Sequence, residues 1–487
     1  QQQQQGYGGQ QQQGGYGGGQ QQQQGYGSYR NNKKRVEMST INPNKNSCNL
    51  VDPPKDTVSD LKWAPNKDEF VVSSWSGEVS LFGVSLQNGK FGAGSPMTFM
   101  NQGPTLCCDI MEDGTIVSGG GFGAFAQPAP GVNISGNTQN FKFGEHMAPI
   151  KEMHYIKEKN AIITSGWDAT TRIWDLRAQN PLQETINLPG KAFSADAKSY
   201  LYVVACNQKK VCTIDMRHLG NFKEVTNSPL VKQTRCVSIF TNLQGWAVGS
   251  IEGRVGMHFF DDDPNAPADY RSSFNFKAHR GQTSHPKQHI IYPINCIAFN
   301  PVWGTFATTG GDNTFQFWDI NSKMRTLTSE KCNNTITACK FNSKGNLFAY
   351  ALGYDFSRGS DSRYFIKDYG SHIFVEPLGK EIMPKYMKKH VEEGRPAIPP
   401  FSGFGIINPD APPPPKAAAN PGTTQAKEEA KQKLNEKKYN QNYQQQQGPP
   451  RYGPPPGQGR QGPPPPGYGP PPGQGPPPGQ GPPPGQG

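Results

Sequence analysis

Short apolar runs dominate the middle of the chain. Over about 350 residues, stretches of Val, Ile, Phe and Thr are separated by Gly, Asn and Asp with almost no helical periodicity. That is the pattern of β-strands joined by tight turns. Self-comparison finds seven copies of one unit: an apolar strand, a Ser/Thr/Ala-Gly strand end, a tight polar turn, and a strand that ends in an aromatic residue and often Asp. The copies are VVSSWSGEVSLFG (71–83), IVSGGGFGAF (116–125), IITSGWDATTRIWDL (162–176), VVACNQKKVCTID (203–215), WAVGSIEGRVGMHFFD (246–261), FATTGGDNTFQFWDI (306–320) and FAYALGYDFSRGSDSRYF (348–365). Their turns fall at 77, 121, 168, 207, 253, 312 and 355. Spacing of roughly 40–45 residues is that of a four-stranded propeller blade. The prediction is an all-β, seven-bladed β-propeller, with the segment near 36–50 available to complete the last blade.

The third copy carries the most complete set of polar positions. His146 precedes the blade, Ser165 ends a strand, Asp168 sits in the turn, and Trp174 lies six residues further on. In WD-repeat blades such residues form a buried chain. Asp168 is therefore expected to accept from His146 and the turn backbone, while Ser165 bridges to the Trp174 indole. The sixth copy repeats Thr309, Asp312 and Trp318 at the same offsets, with His279 a candidate partner across a longer loop. These residues read as polar networks that hold the fold rather than as catalysts.

Composition divides the chain. Only 33% is hydrophobic, against roughly 45–50% in an average globular chain, and the 57 Gly and 46 Pro concentrate at the ends. Residues 1–35 read as a Gln/Gly/Tyr-rich tail, 36–387 as the propeller, and 388–487 as a Pro/Gly/Gln-rich tail; both tails are expected to be disordered. The net charge of +11 belongs mostly to the tails: 1–35 has four basic and no acidic side chains, 388–487 eleven and six, and 36–387 is nearly balanced. Anion binding by the folded part must therefore come from a local patch. Nine scattered cysteines with no C-x-x-C pair suit reduced thiols. No run of about 18 apolar residues occurs, so membrane insertion is not expected.

Catalytic motifs are missing from the sequence. Neither a phosphate-binding G-x-x-x-x-G-K-[ST] nor H-E-x-x-H occurs, and Gly121–Ala126, which fits G-x-G-x-x-A, runs into Gln-Pro-Ala-Pro-Gly instead of a helix. No enzyme activity, cofactor or metal is expected. The later copies carry a more specific signature: Gly249-Ser250-Ile251-Glu252-Gly253-Arg254-Val255, Phe276-Lys277-Ala278-His279-Arg280, Ile291-Tyr292-Pro293-Ile294-Asn295 and Phe299-Asn300-Pro301. With Gly304–Thr308 and Phe348–Ala351, these resemble the WD-repeat mRNA export factors of the nuclear pore. That GLEBS-binding propeller family also includes the mitotic-checkpoint adaptor. The resemblance covers roughly residues 50–380, and departs from the family in blade two and in both tails.

What the resemblance implies is an adaptor for mRNA export that binds a GLEBS segment of an FG nucleoporin and contacts RNA or messenger ribonucleoprotein. The implied location is the nucleus and the nuclear envelope at the pore, with shuttling to the cytoplasm. Alternatives are a spindle-checkpoint adaptor holding a kinase's GLEBS-like motif, with microtubule factors as further partners, or an RNA-binding condensate protein driven by its tails. Candidate peptide-binding residues are Arg254 with Glu252, near the ring's central opening, and Trp75 and Trp167 at the turns of blades one and three. A cation beside exposed rings suits an acidic peptide. Candidate RNA-binding residues are Lys277 and Arg280 in the long blade-six loop and Lys323 and Arg325 just after Trp318-Asp319, taken to line one phosphate-facing groove. Tyr7, Tyr16, Tyr26 and Tyr29, with Arg30, Lys33, Lys34 and Arg35, could add stacking and charge from the tail.

Overall fold

The structure, a computed structural model, describes residues 39–41, 47–87, 90–219, 222–261, 273–285, 288–357, 359, 371–384 and 387–388. The 1–35 tail and nearly all of 388–487 lie outside these residues. Within them, seven antiparallel sheets follow one another along the chain, each with four main strands. The inner strands are Val58–Trp63, Thr105–Ile110, Ile150–Ile156, Ala192–Lys198, Thr234–Ile239, Ile294–Phe299 and Thr335–Phe341. Each packs on the next, and the last packs on the first, so the seven sheets form a closed propeller.

Burial explains the sequence pattern of each blade. In blade three the second strand, Ala161–Gly166, is buried at every position, because both of its faces meet neighbouring blades. Such strands therefore read as unbroken apolar runs. The outer strand, Leu182–Asn187, alternates half-buried and exposed positions, as expected of a strand with one wet face. Between blades six and seven the core is aromatic: Phe315 meets Phe348 at 5.4 Å and Tyr350 at 5.1 Å between ring centroids.

Blade seven is closed by the N-terminal segment, as anticipated. Cys48–Asn49 pairs antiparallel with His372–Pro377 as its outermost strand. Ser39–Ile41 adds a strand parallel to Met324–Ser329 on blade six, which the sequence pattern did not reveal. The seventh copy needs correction: its third strand is His372–Pro377, paired with Leu347–Gly353, and the Ser-Arg-Tyr-Phe stretch that ends at 365 lies outside the described residues. Blade two lacks a Trp-Asp ending yet forms Gly123–Gln127 and Phe141–Gly144 as its outer strands.

All seven inner strands share one irregularity. Near its start each has a register shift that inserts one unpaired residue: Ser59, Leu106, Lys151, Phe193, Arg235, Asn295 and Thr337 in turn. A bulge bends its strand and re-aims the side chain of the extra residue.

Candidate functional site

The polar chains of blades three and six are present, with one displaced link. His146 Nδ1 lies 3.0 Å from Asp168 Oδ2, and its Nε2 lies 2.7 Å from Thr164 Oγ1, which accepts the Trp174 indole N–H at 2.8 Å. In blade six His279 reaches Asp312 at 2.8 Å and Thr308 at 2.9 Å, and Trp318 donates to Thr308 at 2.9 Å. The bridging hydroxyls are thus Thr164 and Thr308, each one residue before the expected Ser165 and Thr309. Successive strand residues point to opposite faces. Ser165 therefore turns to Thr171 and Tyr202 instead, at 2.7 and 2.8 Å. Burial holds His146 below its ordinary pKa against the pull of Asp168, which suits a neutral ring in a structural network.

Strand direction fixes where the candidate binding residues lie. In an antiparallel blade, the turn between second and third strands shares a face of the ring with the link into the next inner strand. In six blades the first turn residue donates its N–H to the carbonyl just before its own blade's inner strand: Trp75 to Thr57, Gly121 to Pro104, Trp167 to Pro149, Asn207 to Lys191, Ile251 to Gln233 and Gly311 to Pro293. We call this the turn face. At its centre is a cavity of about 590 Å³, lined by all seven bulge residues together with Trp75, Trp167, Tyr354, Asp355 and Phe356.

Trp75 and Trp167 therefore sit at the channel mouth, Trp75 with its ring 5.7 Å from that of Phe356. Arg254 and Glu252 belong to the turn face but do not line the mouth, which corrects the expectation of a central position. Arg254 begins the third strand of blade five, Arg254–Phe259, directly opposite Lys277 on the outer strand. Its Nη1 donates to Asn275 at 3.0 Å, and its Nε stands 4.0 Å from Glu252 Oε2. A charge at this strand position is not itself distinctive, since Glu78 and Lys210 open the corresponding strands of blades one and four.

The four RNA candidates do not share one end of a groove. Arg280 Nη2 donates to the Glu252 main-chain oxygen at 3.2 Å, so Lys277 and Arg280 join Arg254. Lys323 instead lies over the ring of Phe274 at 4.7 Å, beside Arg325 at the start of Met324–Ser329. Phe274 and Lys277 are the two ends of one strand, roughly 10 Å apart at the usual rise. The structure thus assembles three cations on the turn face and leaves Lys323 toward the opposite face, while the Arg325 side chain lies within electrostatic reach of Asp312.

Sequence reasoning missed much of the mouth: Lys151, Phe193, Arg235, Tyr354, Asp355 and Phe356. It also missed an apolar bias of the turn face, where Phe122, Met147, Val231, Ile251 and Ile291 are all exposed. All nine cysteines carry free thiols. Among the described residues no helix is long and apolar enough to cross a membrane, and no group of three or more His, Cys, Asp or Glu is placed to hold a metal.

Comparison with known proteins places this propeller. The mRNA export factor GLE2 of Chaetomium thermophilum is 33% identical over 356 residues, 71% of this chain and 95% of that protein. The chain belongs to the WD-repeat mRNA export factor family. Other relatives are the Poly(A)+ RNA export protein of Schizosaccharomyces pombe, 31% identical across 65% of this chain and 86% of that one, and Protein RAE1 of Arabidopsis thaliana, 36% identical across 66% and 89%. No protein-family model matches the chain. The RRP9 WD40 repeats and U3-55K superpose with TM-scores of 0.56, covering 70% and 69% of this chain and 100% of each of theirs. At 14% and 16% identity they share the fold alone with this member of the export-factor family.

Proposed function

We propose that this propeller is a non-enzymatic adaptor for nuclear export of mRNA, binding an acidic GLEBS-type segment of an FG nucleoporin across its turn face and contacting RNA. It would act at the nuclear pore and shuttle to the cytoplasm. The observation that carries this reading is the charge imbalance at the end of blade five. Arg254 stands beside the single carboxylate of Glu252, Arg280 bonds the main-chain oxygen of the same residue, and Lys277 lies opposite Arg254; like charges opposite one another across strands repel. An acidic peptide relieves that repulsion, and the exposed apolar side chains of the same face supply buried area.

Arg254→Glu should weaken a nucleoporin GLEBS peptide by roughly 2–5 kcal/mol while the thermal midpoint stays near that of the parent, measured by titration calorimetry and scanning calorimetry. Unchanged affinity in a folded variant would remove the assignment. RNA is assigned to Lys323, Arg325 and the basic tails. Lys323→Glu with Arg325→Glu should reduce the slope of log K against log salt by about 0.7 per lost phosphate contact on a single strand, with peptide affinity unaltered.

A further inference from the structure

We propose that the channel mouth is a recognition site for an arginine side chain presented by a partner peptide, seated in the sector of blades six, seven and one. This subsite goes beyond the nucleoporin reading and shares only Trp75 with the residues considered for it. Two acceptors there have no donor among the described residues: Asp355 Oδ2 and Asn295 Oδ1. Both residues line the cavity. Asp355 is only 8% exposed, and a buried carboxylate oxygen without a partner is costly unless a ligand completes it. Its other oxygen is already used, accepting Ser357 N–H at 3.1 Å. The Asn295 amide is likewise fixed, because its Nδ2 donates to the Ile336 carbonyl at 2.9 Å.

Neither cation described at the mouth bonds the Asp355 carboxylate. Lys151, from blade three, is held by Glu152 Oε1 at 2.9 Å. Arg235, from blade five, donates to the main-chain oxygen of Asp355 at 3.3 Å, not to its carboxylate. The bulge residues of blades six, seven and one are Asn295, Thr337 and Ser59, none of them basic. Asp56 adds a second carboxylate on the same side of the lining.

Aromatic rings complete the fit. Trp75 is partly exposed at the rim and is backed by Phe356, which in turn stands 5.0 Å from Tyr354. Phe356 is held at φ 56°, a left-handed conformation uncommon for a bulky residue and characteristic of functional sites. A guanidinium has five donors in a planar fork and stacks on aromatic faces. It can serve both orphan acceptors from adjoining blades while lying against Trp75. Both oxygens are closed to solvent without ligand, so docking includes a side-chain rotation at Asp355.

The test is titration of the full chain with Ac-Gly-Gly-Arg-Gly-Gly-amide and with counterparts carrying citrulline, a neutral isostere, or Glu in place of Arg. The arginine peptide should bind at least about ten-fold more tightly than the citrulline peptide, with the preference shrinking at high salt. Asp355→Asn, which retains an acceptor for the Ser357 N–H, should abolish the preference, and Trp75→Ala should reduce it. Equal binding of the arginine and citrulline peptides, preference for the Glu peptide, or no binding of the arginine peptide at millimolar concentration would each overturn the proposal. The parent chain alone decides these outcomes, whatever Asp355→Asn does to folding. Nucleoporin capture is a separate measurement centred on Arg254, so either reading can fail without the other.

Discussion

Thr308 and Thr309 are adjacent, equally buried and chemically identical, yet they should respond differently to the same isosteric change. Thr308 Oγ1 joins His279 to the Trp318 indole, whereas Thr309 Oγ1 is buried without a partner among the described residues. Thr308→Val strands two ring nitrogens and should destabilise by roughly 2–3 kcal/mol, while Thr309→Val should be neutral or stabilising; urea unfolding of the two variants checks this. Glu376 is a different kind of buried group. It is 2% exposed with one oxygen unpartnered among the described residues, and burial, aided by nearby Glu381, pushes its pKa up to about 7 from 4.5. Between those values the folded chain keeps a proton that the unfolded chain has lost. Stability therefore falls as pH rises through that window and is flat above it. Glu376→Gln removes the effect and should exceed the parent in stability at pH 8 relative to pH 4 by on the order of 2–3 kcal/mol, read from unfolding curves at several pH values.

At the level of strands, closure depends on two residues. Cys48–Asn49 covers the edge of His372–Pro377, and an uncovered edge invites pairing with another chain. Deleting residues 1–35 together with 395–487 should leave the urea midpoint nearly unchanged. Deleting 1–50 should lower it and raise the sedimentation coefficient through association. If deleting 1–35 together with 395–487 is equally damaging, the tails are structural and the domain boundaries are wrong. The strand Ser39–Ile41, parallel to Met324–Ser329, was not legible beforehand. Three residues without a repeat partner give no periodic signal, whereas the closing segment was anticipated because a propeller of seven copies needs its last blade completed.

Across the molecule, the repeat made the fold readable because seven units share the same burial pattern. Trp75 and Trp167 were found because each stands at a turn that all blades share. The bridging hydroxyls were misplaced by one because an offset in sequence does not say which side of a strand a residue takes. The seventh copy was drawn short because its second and third strands, Leu347–Gly353 and His372–Pro377, have 18 residues between them in sequence. The mouth escaped notice for a related reason: a bulge interrupts alternation, and nothing in the identities of Ser59, Leu106, Lys151, Phe193, Arg235, Asn295 and Thr337 marks them as equivalent. That lack of a common residue type bears on how freely the mouth can be rewritten. An unpaired residue contributes no ladder bond, so a change there disturbs only what its side chain holds, such as the Asn295 bond to the Ile336 carbonyl and the Ser59 bond to the Thr105 carbonyl. The seven side chains are polar, aliphatic, aromatic and basic by turns, so the chemistry of the mouth changes from sector to sector. Related propellers can therefore diverge in what they recognise by point substitution at the rim, while their blades stay the same.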